Sequence, residues 1–306
     1  MRRLLWLTAA ALLVAGCSSS PGHEAAAKPP PDPRPLGGAL DFTAAEYAAL
    51  HRAEEREVGT CMRRQGFGYD AVPVGDVRRR AATSPYGLLR RDLAAQDGYG
   101  LTVQRLRKPP ADPNARRVSA LSERGRTAWE AALKGTADGP RTELTLPDGP
   151  TVSIPDDSCV AVARRALYGA SWDRDQYALQ SVRNSIVTAT LDHALVRAAE
   201  RKWARCMRES GFPYLDFADP FKAVEKRLDA AGSDRAALRA TGEEELRVAV
   251  RDAACQGEAG LAEQVVRAQR QVEQKLPAAR TSALDDFRAA RRAALGRAEA
   301  APGGSA

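Results

Sequence analysis

Histidine, methionine and aromatic side chains are scarce in this chain of 306 residues: three His, three Met, and 6% Phe, Trp and Tyr together. His23, His51 and His193 lie far apart, and neither HExxH nor CxxC occurs, so the ligand spacing that a zinc or dithiol site demands is missing. No serine sits in a G-x-S-x-G elbow and no glycine-rich phosphate loop follows a strand, which removes the recognisable nucleophile and nucleotide motifs. Long apolar runs are missing as well. Leu4 to Val14 is too short to span a bilayer, and no later stretch approaches eighteen residues. These gaps argue for no cofactor, no metal and no recognisable catalytic constellation. What the chain does carry bears on address, architecture and cysteine pairing.

The beginning reads as a targeting segment: Arg2 and Arg3, the apolar run, then Val14-Ala15-Gly16-Cys17. That ending resembles the bacterial lipobox, in which small residues fit the signal peptidase and the cysteine thiol takes a diacylglyceryl group before cleavage. The resemblance implies a signal peptide over residues 1–16, a fatty-acylated Cys17, and a protein held by lipid on the outer face of the cell membrane. Residues 17–40, with Pro29, Pro30, Pro31, Pro33 and Pro35, cannot bury a core and read as a tether. At ~3.1 Å per residue it would reach roughly 60 Å from the lipid. Residues 299–306 read as a disordered tail.

The formal charge is +7, and 39 arginines stand against seven lysines. With the abundant alanine, this bias looks like the codon habit of a GC-rich actinobacterial genome, so arginine number alone makes no case for nucleic acid. A basic surface outside the membrane suits anionic wall polymer or lipid head groups, or simply solvated helix faces.

The most informative feature is a repeat. Leu50 to Tyr69 (LHRAEEREVGTCMRRQGFGY) and Leu195 to Tyr214 (LVRAAERKWARCMRESGFPY) are identical at eleven of twenty positions at a constant offset of 145. The matches include Glu55/Glu200, Cys61/Cys206, Met62/Met207, Gly66/Gly211, Phe67/Phe212 and Tyr69/Tyr214. Apolar residues at helical spacing precede each glycine, so each copy reads as a helix, a left-handed glycine stop, and a Phe returning onto the last turn. Two related units follow: 41–170 and 171–298.

The rest supports a mainly α fold. Val182, Ile186, Ala189, His193 and Val196 mark one long amphipathic helix from Ser171 to Met207. Further helices are expected over Phe221–Leu228, Glu243–Cys255, Leu261–Leu276 and Ser282–Ala298, with a stop or kink at Pro277. Thr142–Leu146, a Pro147-Asp148-Gly149 turn and Pro150–Ile154 read as a β-hairpin inserted in the first unit. Ser84 to Pro113 reads as loop with one short helix at most.

With Cys17 committed to lipid, Cys61, Cys159, Cys206 and Cys255 remain for an oxidising compartment, and four cysteines allow three pairings. Each unit has one cysteine on its Cys-Met helix and one after an Asp-x-x step, at Asp156–Cys159 and Asp252–Cys255. Two copies of one ancestor keep one internal bridge each, so the expected pairs are Cys61–Cys159 and Cys206–Cys255. The Cys-Met…Gly-Phe turn followed by Asp-x-x-Cys is similar to a pattern in secreted proteins and lipoproteins of actinobacteria. That family implies an extracytoplasmic address and brings no activity with it.

The functional expectation is therefore a non-catalytic binding or scaffold module of the cell envelope. Its partners would be the membrane, through Cys17, and an anionic wall polymer or another envelope protein, not nucleic acid. The binding surface would be the two Gly-Phe-x-Tyr turns, with Phe67, Tyr69, Phe212 and Tyr214. The alternative is a wall-polymer hydrolase with a carboxylate pair, for which Asp173, Asp175, Asp216 and Asp219 stand near helix ends or the aromatic turn. The lipid reading predicts that Cys17→Ala leaves an uncut precursor that takes up no labelled fatty acid. A mature N-terminus upstream of residue 17 would rule it out.

Overall fold

The computed structural model describes residues 31–75, 84–108, 110–146, 149 and 151–300. The leader, Cys17, His23, most of the tether, and Pro147, Asp148 and Pro150 of the hairpin turn lie outside the described residues.

Helix α1 (Ala44–Arg64) opens on a capping box. Thr43 Oγ1 accepts the Glu46 N–H at 3.2 Å, and Glu46 Oε2 accepts the Thr43 N–H at 2.8 Å. It closes on Gly66, at φ +83°, with the Phe67 N–H donating to Met62 O at 2.9 Å and the Gly66 N–H to Arg63 O at 3.0 Å. That is a Schellman motif. The second copy ends α8 (Ala194–Glu209) in the same way: Gly211 has φ +87°, and the Phe212 and Gly211 N–H groups reach Met207 O and Arg208 O at 2.9 and 3.0 Å.

Both bridges have the expected partners. Cys61 joins Cys159 with Cα atoms 5.4 Å apart, and Cys206 joins Cys255 at 5.6 Å. Each sits in its own apolar cluster. Val58, Met62, Trp129 and Ala163 surround the first, and Trp203, Met207 and Val248 the second. The repeat does not extend to the second cysteines. Cys159 is the first residue of α6 (Cys159–Tyr168), whereas Cys255 lies well inside α10 (Arg235–Ala259).

Between α1 and α6 run α2 (Arg91–Asp97), α3 (Leu101–Leu106), α4 (Ala115–Ser119), α5 (Glu123–Lys134) and an antiparallel pair. The pair, β1 (Arg141–Thr145) and β2 (Thr151–Pro155), aligns Arg141 with Pro155 and Thr145 with Thr151. After α6 come α7 (Trp172–Leu191), α8, α9 (Asp219–Ala231), α10, α11 (Leu261–Glu273) and α12 (Ala278–Ala300). The fold is mainly α with one small hairpin, as expected. No described helix is long and apolar enough to cross a membrane.

Four expectations need correction. The single helix over 171–207 is broken between Leu191 and Ala194, because His193 turns extended (ψ 141°) and its Nδ1 caps the Leu195 N–H at 3.3 Å. The stretch 84–113 carries two short helices where one at most was expected. Its α2 and α3 pack against α10, a helix of the second unit. In the opposite direction, α12 packs on α1 and α6, where Arg291 pairs with Glu46 at 2.8 Å and Arg297 Nε donates to Leu167 O at 2.7 Å. Each sequence unit thus donates an element to the other, and the boundary near residue 170 is not one in space. Finally, the tether ends earlier than residue 40. Leu36 is 5% exposed within the Trp172–Phe287 cluster, and its N–H donates to Glu273 Oε1 at 2.7 Å.

The glycine stops can be tested without touching the core. No atom lies within 4 Å of a Cβ built on Gly66 or Gly211, so only the left-handed backbone opposes a side chain. Gly211→Ala should therefore cost about 1–2 kcal/mol in a urea titration, and Gly211→Asn clearly less. Equal losses for the two variants would show that the cost lies elsewhere.

Candidate functional site

The 84–106 segment crosses the molecule as a strap over α10, and three polar side chains of that helix hold it. Glu245, 1% exposed, accepts the Leu101 N–H at 2.8 Å and the Thr102 N–H at 2.9 Å. Gln256 accepts the Leu89 N–H at 2.9 Å and donates to Gly87 O at 3.1 Å. Asp252, 2% exposed, takes the Tyr99 hydroxyl on Oδ2 at 2.8 Å, with Trp203 Nε1 (2.8 Å) and Gln256 Nε2 (3.0 Å) on Oδ1. Glycine is required where the strap passes closest: at Gly98, φ +63°, a Cβ would meet Glu245 Cγ at 2.7 Å.

Where the strap leaves the helices, it forms one wall of a cleft of about 1290 Å³. Tyr86, Leu88, Leu93, Tyr99 and Val103 come from the strap side. Opposite them stand Leu191, the root of α8 with Arg197 and Glu200, and the Phe217–Glu225 stretch. Phe221 remains 39% exposed and meets Tyr99 edge-on with ring centres 6.3 Å apart, while Phe217 packs on Trp203 at 4.9 Å. Arg197 bridges Asp192 (2.6 Å) and Glu200 (2.8 Å) at the mouth of α8.

The electrostatics of the cleft centre on Asp252. Burial raises its pKa above the usual carboxylate range, and the bonds from Tyr99, Trp203 and Gln256 pull the other way. Tyr99 is raised by burial first and by the neighbouring Asp252 charge second. Burial pushes Tyr86 up to about 12. Neither phenol ionises near neutrality; both act as donors, Tyr86 to Gln269 Oε1 at 2.8 Å.

The residues expected to form a binding surface lie elsewhere and apart. Phe67 and Tyr69 are half-buried on the Cys61–Cys159 cluster, where Tyr69 stacks near Trp129 and its hydroxyl donates to Glu55 Oε2 at 2.9 Å. Phe212 and Tyr214 are half-buried on the Cys206–Cys255 cluster, their rings parallel with centres 6.3 Å apart. Each pair plugs the core of its own helix end.

The acids named for a hydrolase have structural partners. Asp173 accepts Arg164 Nε at 2.8 Å, and Asp175 pairs with Arg174 at 3.0 Å. Asp216 and Asp219 cap each other's turn: Asp219 Oδ2 takes the Leu215 and Asp216 N–H groups, and Asp216 Oδ1 those of Ala218 and Asp219. The Leu215 N–H bond above all holds the Asp219 carboxyl below its usual range. His51 bonds Val72 O at 2.8 Å. Among the described residues no group of His, Cys, Asp and Glu is placed to hold a metal ion.

Compared with known proteins, the chain matches no family model, no curated protein and no solved structure. The candidate site therefore stands on its own geometry. Sequence reasoning reached Asp252 only as part of the Asp-x-x-Cys step. Its hydroxyl partner, 153 residues away in Tyr99, left no local signal.

Asp252 also generates a stability test. Because burial raises its folded pKa, its contribution is fully present below the unfolded value of about 4 and is lost as pH climbs through the folded value. Asp252→Asn removes that titration while keeping an acceptor oxygen. The difference in urea midpoint, wild type minus variant, should fall as the pH rises above about 4. A difference independent of pH would mean the carboxyl titrates alike in both states.

Proposed function

We propose that this protein is a lipid-anchored, extracytoplasmic binding module of the cell envelope, and that its ligand occupies the cleft between the strap and α8–α9. The observation that carries the reading is the cleft itself: about 1290 Å³, with apolar and aromatic walls interrupted by a few charged groups. Ligand sites are built in that way. Two features support rigidity of the walls. The strap is hydrogen-bonded to α10 at five places along its length, and α8 is pinned to α10 by Cys206–Cys255. A preformed site loses less ordering entropy on binding. The Cys17 lipobox and the proline-rich stretch support the outer face of the membrane as the address. The Gly211-Phe212-Pro213-Tyr214 turn serves, in this reading, as a support of the site and not its surface.

The hydrolase alternative calls for two carboxyls directed at one substrate bond. Asp173, Asp175, Asp216 and Asp219 are occupied as ion-pair and capping partners, so no observation favours it.

Photo-crosslinking in intact membranes separates the readings. A crosslinking residue at Phe221, in the cleft, should yield one discrete adduct identifiable by mass spectrometry. The same residue at Tyr177, 38% exposed and outside the cleft, should not. Equal labelling from both positions would overturn the proposal. So would release of soluble fragments from purified wall polymer by the lipid-free protein.

A further inference from the structure

Charge is distributed unevenly over this molecule. The chain carries +7 overall, yet the described residues lining the cleft include six carboxylates against four basic side chains. The acids are Asp97, Asp192, Glu200, Asp216, Glu225 and Asp252, and they converge from α2, the α7–α8 bend, α8, the turn before α9, α9 and α10. Acids arriving from so many separate elements are not the solvated face of one helix.

Arg197 is held by Asp192 and Glu200, and Arg90 by Asp92, which lies outside the cleft lining. Asp252, deepest of the six, is satisfied by neutral donors alone, with no cation in contact. A cleft with low-dielectric walls focuses such a field and concentrates ligands of opposite sign. The rings of Tyr99, Phe217 and Phe221 stand beside these acids. Aromatic faces next to carboxylates are the chemistry that receives an organic cation, the ring quadrupole adding to the net charge. The volume, about 1290 Å³, exceeds what a drug-sized ligand fills, so the occupant is extended.

Building on the reading of the cleft as a binding site, we infer that it takes an extended peptide segment carrying a basic side chain between apolar ones. The apolar side chains lie against Leu88, Leu93, Val103 and Phe221, and the basic group reaches towards the Glu225 and Asp216 side of the cleft.

The test uses the intact protein with both disulfides formed and three pools of capped pentapeptides. The flanking positions are mixtures of Leu, Phe and Tyr, and the central residue is Arg, Gln or Glu. Calorimetric titration should show the Arg pool binding about tenfold more tightly than the Glu pool, the lower end of what a focused field supplies, with Gln between. Added salt should shrink the Arg advantage. Glu225→Lys, at an exposed position, should reduce or invert the preference, and Phe221→Ser should weaken all three pools. Equal affinities, or preference for Glu, would overturn the inference and leave the binding-site reading standing. No binding by any pool also overturns it. Whether the broader reading then survives is decided separately by the Phe221 crosslink.

Discussion

The arrangement depends on one physical constraint: a carboxylate buried in α10 must be satisfied, and donors from the strap, from α8 and from its own helix satisfy it. Asp252 has no cation in contact, and burying such a group without donors would cost several kcal/mol. It is tolerated because Tyr99 from the strap, Trp203 from α8 and Gln256 one turn along the same helix all point hydrogens at it. The same three groups fix where the strap lies relative to α8, and the space left between them is the cleft. Sliding the strap by one residue would withdraw Tyr99 from Asp252 and, at the same time, the Leu101 and Thr102 N–H groups from Glu245. Two buried carboxylates thus set the register of a segment whose own helices are only seven and six residues long.

How much of this was legible in the sequence follows from how local each cause is. The helix ends were readable because a Schellman stop needs only a glycine and an apolar residue at fixed offsets from the last turn. Gly66-Phe67 and Gly211-Phe212 supply both. The disulfides were readable by symmetry, since the repeat assigns one Cys-Met helix to each unit. The break at His193 was missed because the apolar stripe continues on both sides of it. Val182, Ile186 and Val196 are all buried, and only a capping side chain distinguishes a bend from a turn of helix. The strap was missed for a different reason. Its helices span seven and six residues, too short to stand without tertiary support, and that support lies 143 to 169 residues away.

The two copies also show how far a shared turn constrains what surrounds it. Glu55 and Glu200 occupy equivalent positions, yet Glu55 holds the Tyr69 hydroxyl and the Val72 N–H, while Glu200 faces Arg197 at the cleft. Asp156 and Asp252 both precede a cysteine by three residues, but Asp156 meets Thr142 of the hairpin at the surface and Asp252 is the buried centre of the second unit. A turn pinned by a disulfide and plugged by a Phe is stable in itself. It can therefore be kept while the neighbouring acids are turned to different tasks. The aromatic residues of the turns stay half-buried in both copies because their rings fill the space beside the bridge.

The same logic extends from the strap to the root of the tether. Helices bury apolar faces and satisfy their own backbone, but a non-helical segment laid against them brings N–H and C=O groups that need partners. Here the helices supply those partners from polar side chains set among their buried residues. Gln269 of α11, 8% exposed, donates to Arg34 O at 2.9 Å and to Glu273 Oε1 at 3.1 Å, and it accepts the Tyr86 hydroxyl at 2.8 Å. Glu273 in turn accepts the Leu36 N–H. One glutamine therefore joins the Arg34–Leu36 segment to Tyr86 of the cleft wall. An apolar residue of the same size would remove the acceptor of the Tyr86 hydroxyl and the donor to the Arg34 carbonyl, at about 1–3 kcal/mol for each buried group left unpaired. Buried polarity in α10 and α11 is thus the means by which a helical body holds the strap and the Arg34–Leu36 segment in fixed positions, and the strap so held is one wall of the cleft.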